Sequence, residues 1–590
     1  MSAIPFDVYF SSGNVAVSHQ PAGSVLLYPS KPTWNDFGFQ VRAKLRVRPL
    51  DERPPLTMDC FVLAIEDDGE GVRKSFAEWI TTLPSSNFST LLHVAPSSDN
   101  LQFVTLLGDD ATYRSLAEWA ADLSERLAVL FCANDLNLAR VENVVPSSKL
   151  EVITRTDAFT LGVMRSSAAY RAYHKGARYI TREELLPLVN DARGPFQIDV
   201  KLRGFEEAHR LGIQFSQDKS LVSDRAHVFI GKNGTGKTQL LRQVIGSLAR
   251  QADKSEADVF LDQPNSEFHT AALSGLAIPN AVLLFSSELG DLYPQKARLD
   301  TPLDYSYFSL AAAAAHTSNP SEGHIVSAIR DLVRDDSLLR GSSRLDVLGR
   351  VLGPVIPSSQ IHLPIRKKSA RVNGTVLDKQ GMRWLALDRV SGGEQQRLYL
   401  AADIDEDRDI SLLDSDGNEY PPSSGQRVYL RFAAKALSVI SVASLLLLDE
   451  PETHLHPNFI SEFMTLLHEI LEATNSIALI ATHSPFVVRE VPGHCVRVFV
   501  RAGGVPEVTG VHLRTLGASV SSISDAVFGD ATARKFHNLI AHQIATKAAG
   551  AALSERERVA WVWETYGHEL NTEMLSTIRF LMNRPPAELE

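Results

Sequence analysis

The segment that most narrows the folds open to this chain is Gly231-Lys232-Asn233-Gly234-Thr235-Gly236-Lys237-Thr238. It fits G-x-x-x-x-G-K-[ST] and stands between the apolar run His227-Val228-Phe229-Ile230 and a helix-forming stretch from Gln239 to Leu248. A strand that turns through glycines into a helix belongs in an α/β fold, with the loop at the carboxyl end of the strand. The glycines let backbone N–H groups wrap phosphates without Cβ clashes, and the helix start adds its positive end. On this reading Gly231 to Thr238 cradle phosphates, Lys237 reaches the β- and γ-phosphates, and the Thr238 hydroxyl offers a hard oxygen to Mg²⁺.

A second segment fits the same fold. Ser444 to Leu448 is a continuous apolar run that ends abruptly in Asp449-Glu450-Pro451. Four leucines mark a strand buried on both faces, and burying two carboxylates without partners is costly. At a strand end beside a phosphate loop, Asp449 is placed to hold the Mg²⁺ shell and Glu450 to orient or deprotonate the attacking water. The competing reading is a set of acids placed ahead of a helix starting near Pro457. A third apolar run, Ser476 to Ala481, leads into Thr482-His483-Ser484-Pro485, where His483 is a candidate γ-phosphate sensor or a satisfied histidine at a strand end.

With DEPETHLHP and ATHSP in place, the chain resembles the soluble ABC-type ATPases of the RecF, SMC and OLD-like branch, including Septu-like ATPase subunits of bacterial phage-defence systems. The resemblance covers roughly residues 196 to 510. It implies ATP and Mg²⁺ as cofactors, and a homodimer in which a Ser-Gly turn of one subunit contacts the nucleotide held by the other. Two turns compete for that role. Ser391-Gly392-Gly393-Glu394 lies 58 residues before Asp449, and Ser423-Ser424-Gly425-Gln426 lies 26 before it. The family's spacing matches Ser423, Ser424, Gly425 and Gln426, although Pro422 stands where the family usually has leucine. After Gln426 the residues Val428, Phe432, Ala436 and Val439 form an apolar stripe at helical spacing. The other turn is read as part of a solvated hairpin, because eight acids crowd residues 403 to 419 around Asp416-Gly417-Asn418. The family's magnesium-contacting glutamine has no counterpart in Leu283 to Tyr293, where the first glutamine is Gln295.

The whole chain of 590 residues is then expected to be α/β: an N-terminal α+β domain (1–195), an ABC-type P-loop ATPase head (196–514) and a C-terminal helical region (515–590). Hydrophobic residues at 44% and charged residues at 22% suit a soluble globular chain. A net charge of −11 argues against a surface coated for nucleic acid, while a local basic face keeps nucleic acid among the candidate partners. Such faces are sought in Arg42, Lys44, Arg46 and Arg48, and in Arg366, Lys367, Lys368 and Arg371, against the alternative of solvated strand edges. Three scattered cysteines support neither a disulfide framework nor a zinc site, and with no apolar spanning segment the expected compartment is the cytoplasm, with no membrane partner. His454, His456 and His483 have ligand-like spacing, but the resemblance implies that the segment holding the first two is a loop contacting the dimer partner.

No nuclease signature is found in the flanks, so the chain is expected to lack nuclease activity of its own. The resemblance therefore implies an ATPase engine that gates a separate nuclease or toxin. The alternative is a RecF-like repair ATPase that clamps DNA directly, and a nonenzymatic ATP-binding scaffold is disfavoured by Glu450.

Overall fold

Seven strands pair in the order Tyr305–Ser309, Val282–Ser286, Leu445–Asp449, Ile477–Thr482, Ala226–Gly231, Val496–Ala502 and Val505–Gly510. All neighbours are parallel except the last pair, which is a hairpin. The inner strands are buried along their whole length, which is why their sequences run apolar instead of alternating. The computed structural model describes residues 6–30, 38–66, 71–83, 91–94, 101–142, 147–164, 167–181, 187–216, 223–252, 272–287, 293–294, 303–310, 325–335, 338–366, 375–377, 382–390, 394–414, 416–453, 455–528, 536–549 and 554–582.

Each face of this sheet is covered by a helix that the sequence pattern announces. The helix after the phosphate loop, Lys237–Ala252, buries Leu240, Leu241, Val244, Ile245 and Leu248 with Leu445, Leu447 and Leu479. An antiparallel three-stranded sheet, Ala272–Ser274, Phe196–Val200 and His209–Ile213, contributes to that core. On the other face a pair of helices, Ser424–Val439 and Pro457–Thr474, meets the sheet through Phe432, whose ring lies 4.9 Å from that of Phe285 and 4.3 Å from that of Phe463.

Residues ahead of this core form a six-stranded sheet in the order Leu92–Val94, Asp7–Phe10, Ser24–Pro29, Arg42–Arg48, Leu56–Ala64 and Phe103–Leu107. Only the Asp7–Phe10 and Ser24–Pro29 pair is parallel. Helices Asp110–Trp119 and Leu123–Cys132 share its hydrophobic core, which includes Phe10, Leu45, Val62, Leu116 and Leu130. The first and larger compact unit is Met1–Gly517; the second, Ala518–Glu590, holds the helix Val520–Phe528 and the helices Phe536–Ala549, Glu555–Tyr566 and Thr572–Met582, the last three packed around Ala541, Ile544, Ala545, Val562 and Ile578. The fold is α/β with C-terminal helices, and no helix among the described residues is long and apolar enough to cross a membrane.

One expectation about this region is corrected. The turn at Ser391 to Gly393 lies outside the described residues, but it is followed by a helix, Glu394–Asp403, and not by a hairpin. The acidic hairpin comes later, as Ser411–Leu413 paired with Glu419–Tyr420. The helix is held by contacts distant in sequence: Leu400 and Ala401 are buried, and Tyr399 and Ala402 pack on the core of the N-terminal sheet. A local pattern carries no sign of such a partner.

Candidate functional site

The carboxyl ends of three adjacent parallel strands, Ala226–Gly231, Ile477–Thr482 and Leu445–Asp449, bring the phosphate loop, His483 and the acids to one edge of the sheet. The loop needs its glycines. A Cβ on Gly231 would lie 2.2 Å from the Phe499 carbonyl oxygen of the neighbouring strand, and Gly236 has a φ of +96°, in the region open to glycine. Lys232, Asn233 and Gly234 form the turn, Thr235 donates its hydroxyl to the Lys232 carbonyl at 2.8 Å, and Lys237 opens the helix. The Lys237 ammonium is buried and donates to the carbonyls of Gly231 (2.8 Å) and Lys232 (3.3 Å), with Glu450 at 3.9 Å.

Thr238 and Asp449 are 211 residues apart in sequence and in contact in space: the Thr238 hydroxyl donates to Asp449 Oδ1 at 3.1 Å. The other Asp449 oxygen accepts from the Tyr293 hydroxyl at 2.9 Å. Two hard oxygens at the start of a helix that follows a glycine loop fit a magnesium ion bound with a nucleotide's phosphates. Glu450 follows with a φ of +49°, unusual for a residue carrying a Cβ, so its backbone is strained to turn the side chain out of the strand. Its Oε2 accepts from His483 Nδ1 at 2.5 Å and from the His483 backbone N–H at 3.3 Å.

Glu452 adds a third carboxyl. Its Oε1 accepts from the Thr482 hydroxyl, and it lies 3.8 Å from His483 Nδ1. Among the described residues, Glu450, Glu452 and His483 form a group whose ligand-type atoms all lie within 4.8 Å of one another. Burial pushes the Glu450 carboxyl up, opposed first by the neighbouring Glu452 carboxyl and then by the Lys237 charge. Burial, then the Glu450 charge, pushes Glu452 well above the usual carboxylate range.

The other candidates fall elsewhere. Ser423 caps the helix Ser424–Val439: its Oγ accepts from the Gln426 N–H at 3.2 Å while Gln426 Oε1 accepts from the Ser423 N–H at 3.0 Å. Gln426 also donates to the Val355 carbonyl, and Gly425 is buried, so this turn is joined within the chain to its own surroundings. His456 caps the helix from Pro457 through its Nδ1, His454 lies outside the described residues, and His483 is engaged with Glu450. In the basic strand Arg42–Arg48, Arg46 donates to Gln20, Asn14 and Val15, Arg48 to Val17 and Gln20, and Lys44 pairs with Asp59 at 2.7 Å. Of the other basic cluster, Lys367, Lys368 and Arg371 lie outside the described residues.

Sequence reasoning missed Tyr293 and Glu452. Tyr293 sits at the end of the stretch searched for a glutamine and carries no motif of its own. Glu452, by contrast, had a readable signal: an acid two residues beyond Glu450, in a segment with no net positive charge to balance it.

Comparison with known proteins finds matches to part of the chain. Residues 388–489 match the family described as "AAA domain, putative AbiEii toxin, Type IV TA system". Protein ea59 of Escherichia phage lambda is 26% identical over 331 residues, 55% of this chain and 58% of that protein, so the match spans little more than half of the relative's length. Among solved structures, the SMC head domain from Thermotoga maritima is 15% identical with a TM-score of 0.23, covering 54% of this chain and 98% of that one. UvrA2 from Deinococcus radiodurans is 13% identical with a TM-score of 0.26, covering 62% and 42%. The strand-loop-helix geometry and the acidic strand end, with the AAA-domain match over residues 388–489, support a P-loop nucleotide-binding fold.

Proposed function

We propose that the chain binds and hydrolyses ATP with Mg²⁺, and that two copies enclose the nucleotides, each held by one copy's phosphate loop and the other's Ser423–Gln426 turn. Closure then gates a separate nuclease or toxin in a bacterial anti-phage defence complex. The observation that carries this reading is the meeting of Thr238 with Asp449 at 3.1 Å beside Glu450 and His483. The loop N–H groups and Lys237 hold the phosphates, and Thr238 and Asp449 supply oxygens to the metal. Bound Mg²⁺ neutralises phosphate charge. Glu450 takes the proton of the attacking water at Oε1, and His483 holds the other oxygen in place.

The toxin-system wording of the matched family supports a place in a defence complex. Internal engagement of Lys44, Arg46 and Arg48 favours effector gating over the RecF-like alternative, which needs a free basic stripe. Phosphate release and nucleotide binding by purified protein test the reading. Lys237→Ala is expected to abolish binding. Glu450→Gln is expected to keep binding, lower turnover by about 100-fold or more, and accumulate nucleotide-bound dimers on gel filtration. Wild-type turnover by Glu450→Gln would remove Glu450 as the base.

A further inference from the structure

We infer that His209 is a positioning residue of the phosphate loop, its Nε2–H donating to the Thr235 carbonyl and so orienting the peptide that presents the Gly236 N–H. The inference rests on reading Gly231–Thr238 as a nucleotide site. His209 is 1% exposed and stands on the strand His209–Ile213 behind the loop, with Nε2 at 3.2 Å from the Thr235 oxygen. A carbonyl only accepts, so Nε2 must carry the proton and Nδ1 must be the bare nitrogen. In a planar trans peptide the C=O and N–H point in opposite directions. A Thr235 carbonyl held toward His209 therefore turns the Gly236 N–H away from the strands behind the loop.

The imidazole is itself held fast. The Phe205 ring meets it edge-on at 4.5 Å, and Phe499 stacks on it at 6.0 Å. The Arg501 guanidinium lies 4.7 Å from the Phe205 ring centre and donates to the Gly204 carbonyl at 2.8 Å. The loop is seated directly on this group: a Cβ on Gly236 would come within 2.8 Å of Leu202 Cδ1, 3.0 Å of His209 Nε2 and 3.3 Å of Phe205 Cε2. Burial lowers the His209 pKa, which keeps the ring neutral and its tautomer single near pH 7.

The test titrates a fluorescent methylanthraniloyl-ATP, with Mg²⁺, into the full chain and its variants, and records melting temperatures alongside. His209→Gln places an amide N–H at a reach similar to Nε2 and is expected to bind within about threefold of wild type. His209→Leu fills the space without a donor and is expected to bind about tenfold more weakly, at a melting temperature close to that of the Gln variant. His209→Asn, polar but too short to reach Thr235, should follow the Leu variant and decides the matter if Leu does not fold. Wild-type affinity in the Leu or Asn variants would overturn the inference. So would equal weakening in Gln and Leu at matched melting temperatures, which would make the ring a space-filler. Lys237→Ala separates the two levels: if wild type itself showed no binding above this control, the nucleotide reading would fall first, and the role of His209 with it.

Discussion

Two helices of sixteen residues, Lys237–Ala252 and Ser424–Val439, begin in opposite ways. The first is preceded by Gly236, which has no side chain to offer the orphan N–H groups of the first turn. The second is closed by a reciprocal pair, Ser423 accepting from Gln426 N–H and Gln426 accepting from Ser423 N–H. A helix start left open in this way is completed by an anion, whereas a capped one folds without a ligand. The cap still leaves chemistry to spare. Ser423 Oγ accepts one bond from Gln426 and keeps its own proton free to donate, which is what contact with a phosphate on a second copy requires.

The sharpest way to break this comparison is to fill the capped start. Ser423→Arg is expected to remove ATPase activity altogether while nucleotide binding by the single chain survives, and Ser391→Arg is expected to stay within about twofold of wild type, because the role is assigned to the other turn. Mixed with Lys237→Ala chains, the Ser423→Arg chains should recover part of the activity, because one composite site then pairs an intact loop with an intact turn. Recovery by Ser391→Arg chains from an inactive homodimer would move the role to the other turn. A smaller effect separates the two starts in stability. Gly236→Ala forces a Cβ against Leu202 and His209 at positive φ and should weaken nucleotide binding by at least about tenfold with a cost of roughly 1–3 kcal/mol. Ser423→Ala should cost only about 1 kcal/mol, read from denaturant midpoints, and leave nucleotide binding by the single chain unchanged.

A further effect, of similar size, comes with pH. His227, on the strand that feeds the open start, is fully buried, and burial pushes its pKa down to about 3. The unfolded chain binds a proton there below about 6.5 and the folded chain does not. Stability from this residue is therefore complete above pH 6.5 and falls as the pH drops below it, by up to about 1.4 kcal/mol per pH unit. Hydrogen-exchange protection factors for 226–252 are expected to decline between pH 7 and 5.5 ahead of those for 424–439. Equal decline in both segments would show that the two starts share one unfolding unit.

The two Ser-Gly turns also show how far local pattern reaches. The stripe Val428, Phe432, Ala436 announced the Ser424–Val439 helix because the surface it packs on is a sheet whose apolar strands are themselves visible in the sequence. Glu394–Asp403 was hidden because its partners, the helix Ile325–Arg334 and the N-terminal core, lie far upstream in sequence. In the same way the Arg42–Arg48 stripe read as open charge, while loops carrying Asn14, Val15, Val17 and Gln20 fold over it as acceptors.

What the sequence determined by itself were the features built from short range: a glycine loop between strand and helix, apolar strands that end in acids or in His483, and a helix with one greasy face. Each follows from backbone sterics, or from a periodicity that reports burial wherever the partner lies. Only the tertiary structure decided which side chains meet at the sheet edge. Tyr293 reaches Asp449, Glu452 lies against Glu450 under the Thr482 hydroxyl, and His209 stands behind Thr235. The physical reason is that a hydrogen bond between residues 26 to 211 positions apart depends on strand order and register, and those are set by the packing of the whole sheet and not by any segment of it.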